Sequence, residues 1–197
     1  FMEIIQTRDY EAMSDKASEH VIKTLERLAN PVLGLATGST PEGMYERLIK
    51  AYQNKEISFE TVTTFNLDEY IGLDSNHPNS YHYFMHENFF NHIDISKERT
   101  HLPNGMANDL KQACHDYEAL IKEAGGIDLQ ILGLGTNGHI AFNEPGSKFD
   151  GRTDVVDLAQ ATLDANARFF ESIEDVPTQA VTMGIGTIME AQEIIML

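Results

Sequence analysis

Short apolar runs separated by amphipathic stretches recur along the chain, and this alternation limits the available folds more than any other feature. It is typical of a parallel sheet covered by helices. Strands are predicted at residues 2–6, 32–36, 62–66, 127–134, 155–158, 179–183 and 193–197. Helices are predicted at about residues 13–28, 41–52, 81–90 and 110–124. With 197 residues and no evident linker or repeat, the sequence predicts one α/β domain with a mostly parallel, open sheet.

The balance of charges argues against two classes of partner. The chain carries 31 Asp and Glu against 14 Lys and Arg, a formal net charge of -17. This charge repels nucleic acid and anionic membranes, so any anionic ligand has to be held by local geometry. The only cysteine, Cys114, cannot form an internal disulfide, and no apolar run reaches the ~18 residues of a membrane span. A soluble protein of the reducing cytoplasm is therefore expected.

Three polar segments follow predicted strands: TGSTP after residues 32–36, NLDEY at the end of 62–66, and GTNGHIAFNEPG after 127–134. Ligands of open α/β sheets bind beyond the carboxyl ends of the strands. We therefore expect the three segments to form one site.

The first segment has the features of an anion-binding loop. It contains Thr37, Gly38, Ser39, Thr40 and Pro41, with Thr40 predicted as the N-cap and Pro41 as the first helical residue. Free N–H groups at a helix N-terminus, hydroxyl side chains and a glycine that permits close approach can together hold a phosphate. An ordinary capped helix start is the alternative.

The segment after residues 127–134 offers a general base. Residues 133–138 match GxGxxG, but no helix follows directly, so a nicotinamide cofactor is not expected. His139 instead lies between Asn137 and Glu144. A carboxylate bonded to an imidazole fixes its tautomer and raises its basicity, so we predict that Glu144 orients His139. The alternative is that both residues only brace the turn.

Asp68 and Glu69 offer a second acid–base group. Neighbouring side chains on an extended backbone point to opposite sides, so one carboxylate is predicted to face the site and the other to serve the structure. A carboxylate facing the site could remove a carbon-bound proton, and helix capping is the alternative for Asp68.

Three further polar side chains are candidate ligands. Arg168 is interpreted either as a surface charge or as a cation that reaches the anion loop. His82 and His86 have a spacing compatible with zinc, but no third ligand is evident, so no metal site is predicted.

Taken together, these segments resemble the glucosamine-6-phosphate deaminase (isomerase) family. The matching pieces are LGLATGSTPEGMY, TFNLDEYIGL, HPNSYHYFM, LGLGTNGHIAFNEPGS, RTDVVDLAQATLDANARFF and VPTQAVTMGIGTIMEA. The resemblance implies a three-layer α/β/α fold of modified Rossmann type. It also implies conversion of glucosamine 6-phosphate to fructose 6-phosphate and ammonia in amino-sugar catabolism, without metal or organic cofactor.

The resemblance also assigns roles to residues. Asp68 is similar to the family's enolising base and His139 to its ring-opening base, with Asn137 and Glu144 completing that group. Residues 37–40 and Arg168 match the phosphate-binding positions. Some family members carry Asp where this chain has Asn137. A neutral amide supplies no charge to His139, so the task of orienting the imidazole falls to Glu144.

Further expectations concern the whole protein. The family extends beyond residue 197, which implies that its C-terminal portion is missing here, and its members range from single chains to hexamers, which allows a homo-oligomer. Asp154 and Val156 stand where activated members carry basic residues, so activation by N-acetylglucosamine 6-phosphate is not expected. A 6-phosphogluconolactonase-like hydrolase and a non-catalytic sugar-phosphate sensor are the competing functions.

Overall fold

The computed structural model describes residues 1–197. Eight strands, β1 to β8, comprise Val32–Leu35, Thr63–Asn66, Asp68–Tyr70, Thr100–His101, Leu129–Leu132, Asp154–Asp157, Gln179–Thr182 and Glu193–Met196. Six α-helices, α1 to α6, comprise Tyr10–Arg27, Ser39–Gln53, Tyr81–Asn88, Leu110–Glu123, Gln160–Asn166 and Ile185–Met189. None of the helices combines the length and the apolar character needed to cross a membrane.

The central sheet has five parallel strands in the order β4-β2-β1-β5-β8. Alternate side chains of β1 enter different cores: Leu33 and Leu35 pack under α1, α2 and α3, whereas Val32 packs with residues of α4 and α6 on the other face. Helices therefore cover both faces of the sheet. This arrangement confirms the predicted three-layer α/β/α fold.

Polar side chains fix where three of the helices begin. Asp9, Ser80 and Asp109 precede α1, α3 and α4, and each accepts a hydrogen bond from a backbone N–H in the first turn of its helix. These bonds satisfy N–H groups that the helix itself cannot pair. The start of α3 matters most here, because this helix follows the strand that carries Asp68.

A second, smaller sheet is hydrogen-bonded to the central sheet. Strands β3, β7 and β6 form it in the order β3-β7-β6, with antiparallel pairing throughout. Leu67 links the two sheets, because its N–H donates to Leu35 and its carbonyl accepts from Met183. The sequence pattern did not predict this antiparallel sheet.

Two local predictions are wrong. Residues 2–6 form no strand, and Met2 and Ile4 remain more than four-fifths exposed. A strand requires a neighbouring backbone, and none pairs with this segment. The helix after β1 begins at Ser39, with Gly38 as N-cap, rather than at Pro41 with Thr40 as N-cap. Gly38 adopts a φ of 94°, a conformation that a threonine would strain, and the helix begins directly after it, two residues earlier than predicted.

Candidate active site

Strands β2, β1 and β5 are adjacent and parallel, so the segments that follow them leave the sheet at one edge. These segments are residues 37–40, here called the Thr37 loop; Asp68 with Glu69; and residues 133–147, here called the His139 loop. The sequence prediction that they share one edge agrees with the structure.

The Thr37 loop leads directly into α2. Gly38 makes no side-chain capping bond, so the N-terminus of this 15-residue helix keeps N–H groups free of a protein cap. Ser39 and Gly38 are exposed, whereas Thr37 and Thr40 are half-buried. An exposed helix N-terminus flanked by hydroxyl groups has the properties that favour an anion.

Glu69 serves the structure, as the alternation of side chains predicted for one of the two carboxylates. Its Oε1 accepts from the N–H groups of Tyr70 and Tyr81, both at 2.9 Å, and its Oε2 accepts from the N–H of His82 at 2.9 Å. The carboxylate thereby caps α3 and fastens it to β3. Burial raises the pKa of Glu69, and the three N–H donors oppose that rise.

Asp68 has the opposite environment. Its side chain is buried, with 8% of the residue exposed, and it forms no hydrogen bond with another protein group. Burial, and secondarily the charge of Glu69, raise the pKa of Asp68 to about 8 from its ordinary 3.8. A carboxylate that lacks protein partners and holds a proton near neutral pH is suited to proton transfer.

His139 is oriented by Asn137 rather than directly by Glu144. The Asn137 Oδ1 accepts from the backbone N–H of His139 at 3.1 Å and lies 2.7 Å from His139 Nδ1, while Asn137 Nδ2 donates to Glu144 Oε2 at 2.9 Å. The backbone donor on one side and the carboxylate on the other fix which way the amide faces. The Nδ1 therefore carries the proton, which leaves Nε2 as the basic atom. The prediction of a direct Glu144–His139 contact is wrong, because the intervening amide fills that place.

The His139 loop is fixed to the second sheet. Asn143 Nδ2 donates to the carbonyl of Met183 at 2.8 Å, and the N–H of Phe142 donates to Thr182 Oγ1 at 3.3 Å. Ala141 takes a φ of 53° in the turn between Ile140 and Asn143, whose backbones are hydrogen-bonded to each other. Thr182 also pairs with Asp68 across β3 and β7, so one strand supports both the base loop and the buried carboxylate.

Arg168 does not join this group in the structure. It lies in a short 3-10 turn, Ala167–Phe169, where its exposed guanidinium is 4.6 Å from the centre of the Phe169 ring. The turn is held by Asn79, whose Nδ2 donates to the Phe169 carbonyl at 2.8 Å. No hydrogen bond or ion pair connects Arg168 with the Thr37 loop.

Two tyrosines, Tyr70 of β3 and Tyr81 of α3, lie next to the residues of the candidate site. The Tyr81 hydroxyl donates to the Tyr70 hydroxyl at 3.2 Å, and their ring centres are 4.7 Å apart. Phe142 of the His139 loop packs against both rings. The alternation that puts Asp68 and Tyr70 on one side of an extended strand was the available signal.

His82 and His86 lie one turn apart on α3. The rings of His82 and His86 stack with centres 4.4 Å apart. His82 also lines a cavity of about 260 Å³ together with Glu69 and His101.

Comparison with known proteins places this geometry in a family. The model of the glucosamine-6-phosphate isomerases/6-phosphogluconolactonase family matches residues 8–197. The glucosamine-6-phosphate deaminase of Oceanobacillus iheyensis is 59% identical over 196 residues, which covers 100% of this chain and 78% of the relative. The glucosamine-6-phosphate deaminase of Clostridioides difficile is 53% identical and is covered to 79% of its length.

Solved structures agree with that assignment. A structure described as a monomeric glucosamine-6-phosphate deaminase superposes with a TM-score of 0.95 at 48% identity, covering 99% of this chain and 81% of that one. The 6-phosphogluconolactonase of Thermotoga maritima superposes with a TM-score of 0.71 at 20% identity, covering 98% of this chain and 81% of that one, a likeness of fold alone. Because the family model spans nearly the whole chain and relatives exceed half identity, the chain belongs to the glucosamine-6-phosphate isomerase/6-phosphogluconolactonase family.

Proposed function

We propose that this chain converts glucosamine 6-phosphate and water into fructose 6-phosphate and ammonia. One observation carries the proposal: a buried carboxylate without protein partners, Asp68, shares a sheet edge with an imidazole whose Nε2 is left basic, His139. Relatives at 59% and 53% identity that are named glucosamine-6-phosphate deaminase support the choice of substrate. The same sheet edge also carries a helix N-terminus suited to a phosphate.

Ring opening is the first step. The C2 proton becomes acidic only beside an open-chain carbonyl or iminium carbon, so the sugar ring has to open before isomerisation. His139 Nε2 takes the proton of the C1 hydroxyl, the bond between C1 and the ring oxygen breaks, and the imidazolium gives that proton to the ring oxygen. Asn137 and Glu144 hold the imidazole in the tautomer that this step requires.

Proton transfer between carbon atoms is the second step, and it is the role of Asp68. Ionised Asp68 removes the proton from C2, and the C1 carbonyl oxygen takes a proton from the ammonium group of the substrate to give an enol with a neutral amine at C2. Asp68 then returns its proton to C1, which leaves an iminium at C2. The nitrogen is then bonded to an sp² carbon at C2. Water adds to C2 and ammonia leaves, which makes the overall reaction a hydrolytic deamination.

The phosphate end of the substrate is assigned to the Thr37 loop and Arg168. Support for the loop comes from its exposed helix N-terminus, with hydroxyl groups at Thr37, Ser39 and Thr40 beside Gly38. Arg168 makes no ion pair with another residue, so its guanidinium is available to an anion. An Arg168→Gln variant is expected to raise the KM for the sugar phosphate.

Isotope incorporation tests the reaction directly. Glucosamine 6-phosphate is incubated with the chain in deuterated water, and ammonia and C1 deuterium in fructose 6-phosphate are measured. We expect both, and we expect Asp68→Asn to lower the rate by about 10²- to 10⁴-fold because its amide cannot accept the proton. Hydrolysis of 6-phosphogluconolactone without ammonia release would instead favour the lactonase, and neither reaction would favour a sensor.

Two observations bear on the compartment and the oligomeric state of the protein. Buried Cys114 is free, which supports a place in a reducing compartment such as the cytoplasm. The matched solved deaminase is described as monomeric. The homo-oligomer that the family resemblance allows is tested by light scattering of this chain.

A further inference from the structure

Tyr10 is the first residue of α1, and its hydroxyl reaches the first turn of α2. The hydroxyl donates to the carbonyl of Ser39 at 2.7 Å and accepts from the N–H of Gly43 at 2.9 Å. These two residues are four apart, the spacing at which the carbonyl and N–H groups of an α-helix pair with each other. One side chain of α1 therefore bonds to both members of the first such pair in α2.

Close packing of the two helices brings the tyrosine to this position. A Cβ at Gly43 would lie 2.3 Å from Ser14 Oγ and 3.1 Å from Cε1 of Tyr10, so only a glycine lets α1 approach α2 this closely. Asp9 caps α1 by accepting from the N–H of Ala12 at 2.8 Å. This cap fixes the start of α1 and, with it, the place of Tyr10.

The start of α2 lacks the bonds that hold the starts of α1, α3 and α4. In each of those helices a capping side chain accepts from the first turn, and the carbonyl of the N-cap residue accepts from the N–H four residues later. At Gly38, the N-cap of α2, neither bond is present. The first turn of α2 therefore depends on support from outside the helix, and Tyr10 supplies it.

An anion at this helix start needs backbone N–H groups that are free. Of the first three residues of α2, Pro41 has no N–H, and those of Ser39 and Thr40 donate to no protein acceptor. A capping side chain would hold the turn but would occupy these same groups. Tyr10 avoids that conflict, because it bonds to the Ser39 carbonyl and the Gly43 N–H instead.

We propose that Tyr10 is a positioning residue for the phosphate end of the substrate. Its hydroxyl holds the first turn of α2 in place, so that the N–H groups of Ser39 and Thr40 are directed at the anion before it binds. This inference rests on the proposed function, which assigns the phosphate to the Thr37 loop. Tyr10 acts through α2 and has no need to touch the substrate.

This role determines which kinetic constant changes. The phosphate group takes no part in the bond-making steps, so the contacts that hold it are the same in the ground state and in the transition state. A less ordered loop weakens both states equally, which raises KM and leaves kcat unchanged. Inorganic phosphate uses the same N–H groups, so its binding should weaken by a similar factor, because the loop has to be ordered at the cost of affinity.

The substitution Tyr10→Phe tests the role, because it removes the hydroxyl and keeps the ring. Ammonia release gives kcat and KM for glucosamine 6-phosphate, and a phosphorus NMR titration gives the Kd of inorganic phosphate. We expect KM and this Kd to rise about three- to tenfold, as for a lost neutral hydrogen bond, and kcat to change less than about twofold.

Tyr83→Phe is the matched control. Tyr83 lies in the first turn of α3, is 37% exposed against 44% for Tyr10, and its hydroxyl has no hydrogen-bond partner. All three constants should stay at the values of the parent chain.

A second variant displaces the tyrosine without removing its hydroxyl. Gly43→Ala places a methyl group against Ser14 and the Tyr10 ring, and it should raise the same two constants. The double variant should lose no more than the weaker-binding single one, because both changes remove one interaction. Thermal unfolding shows whether each variant is folded, and Tyr10→Phe, at an exposed position, decides alone if Gly43→Ala is not.

The outcomes separate this inference from the proposed function. An unchanged KM and phosphate affinity in Tyr10→Phe would overturn the inference, as would a fall in kcat at constant KM or a parent chain that binds no phosphate. A parent chain that releases no ammonia, together with weaker phosphate binding in Tyr10→Phe, would overturn the deaminase and leave the positioning role intact. Normal ammonia release by both proteins with equal KM values would do the reverse.

Discussion

At the scale of single residues, the protonation of Asp68 is expected to govern the pH dependence of catalysis. Burial and the neighbouring Glu69 raise its pKa to about 8, and a base acts only when it is ionised. We therefore expect kcat/KM for glucosamine 6-phosphate to rise with pH, with a limb near pH 8. Steady-state rates between pH 6 and 9 measure this, and a profile that is flat over this range, as the ordinary pKa of 3.8 would give, would contradict it.

The same carboxyl is expected to make the fold less stable as pH rises. Its folded-state pKa of about 8 exceeds the ordinary 3.8, so between these values the unfolded chain releases a proton that the folded chain retains. Ionisation then favours unfolding, and the stability present below pH 4 is lost as pH rises through 8. Asp68→Asn removes this loss. The free energy of unfolding of the variant, minus that of the parent, should therefore be about 1–3 kcal/mol larger at pH 8 than at pH 5.

Urea unfolding of both proteins at the two pH values provides that measurement. Asp175→Asn is the matched control, because it makes the same exchange at an exposed carboxylate that accepts no hydrogen bond. Its difference from the parent should stay the same at both pH values. A stability gap for Asp68→Asn that does not widen with pH would contradict the raised pKa.

The chain of bonds from Glu144 through Asn137 to His139 should act as one unit. Asn137→Ala removes the acceptor that fixes the imidazole tautomer, and Glu144→Gln weakens the anchor of that acceptor. Each change is expected to lower kcat about 10- to 100-fold, and the double variant little more than Asn137→Ala alone. Kinetics of the four proteins complete the cycle, and additive losses would indicate that the residues act independently.

These side chains also mark how far sequence reasoning reaches at this scale. The alternation along an extended backbone predicted that one of the two carboxylates serves the structure, and Glu69 does so through its three backbone N–H donors, while the catalytic role of Asp68 stays a prediction. It could not place Glu144 relative to His139, because their contact depends on the path of an irregular loop. The loop is closed by the left-handed Ala141 and by bonds to Thr182 and Met183, partners that are distant in sequence.

At the scale of secondary-structure elements, the His139 loop owes its shape to Gly135. A Cβ at this position would overlap the ring of His139, which packs directly against the glycine. Gly135→Ala should displace the imidazole and lower kcat at least about tenfold, because misplacing a catalytic group by about 1 Å can cost 10²-fold. Gly133→Ala is the matched control, since nothing lies within 4 Å of a Cβ there. Ammonia release by both variants measures the effect, and equal rates would contradict it.

The sequence predicted some strands correctly and missed others. The difference is whether a strand can be recognised from its own residues or only from the neighbouring strand with which it pairs. Runs such as Val32–Leu35 are buried on both faces, so their continuous apolar character alone indicates a parallel strand. Asp68–Tyr70 is a strand only because β7 lies beside it, and its polar sequence gives no sign of that partner. Residues 2–6 show the converse, an apolar run that has no neighbour and forms no strand.

At the scale of the whole molecule, the binding of an anion has to overcome the charge of the protein. The chain has a formal net charge of -17, and the proposed phosphate site relies on backbone N–H groups, hydroxyls and Arg168. The long-range field repels the substrate, whereas the contacts that hold it are local. Salt shortens the range of the field from about 30 Å at 0.01 M to about 8 Å at 0.15 M and leaves close contacts less affected.

Raising the ionic strength should therefore improve binding, contrary to the usual behaviour of a phosphate-binding protein with a basic surface. We expect the KM for glucosamine 6-phosphate to fall about twofold between 0.01 M and 0.15 M salt, because screening the negative field raises the local concentration of the anion. Potassium glutamate and potassium chloride are compared, since competition by chloride for the Thr37 loop would oppose the effect. A KM that rises with both salts would show that Arg168 and the other cations dominate the field at the site despite the overall charge.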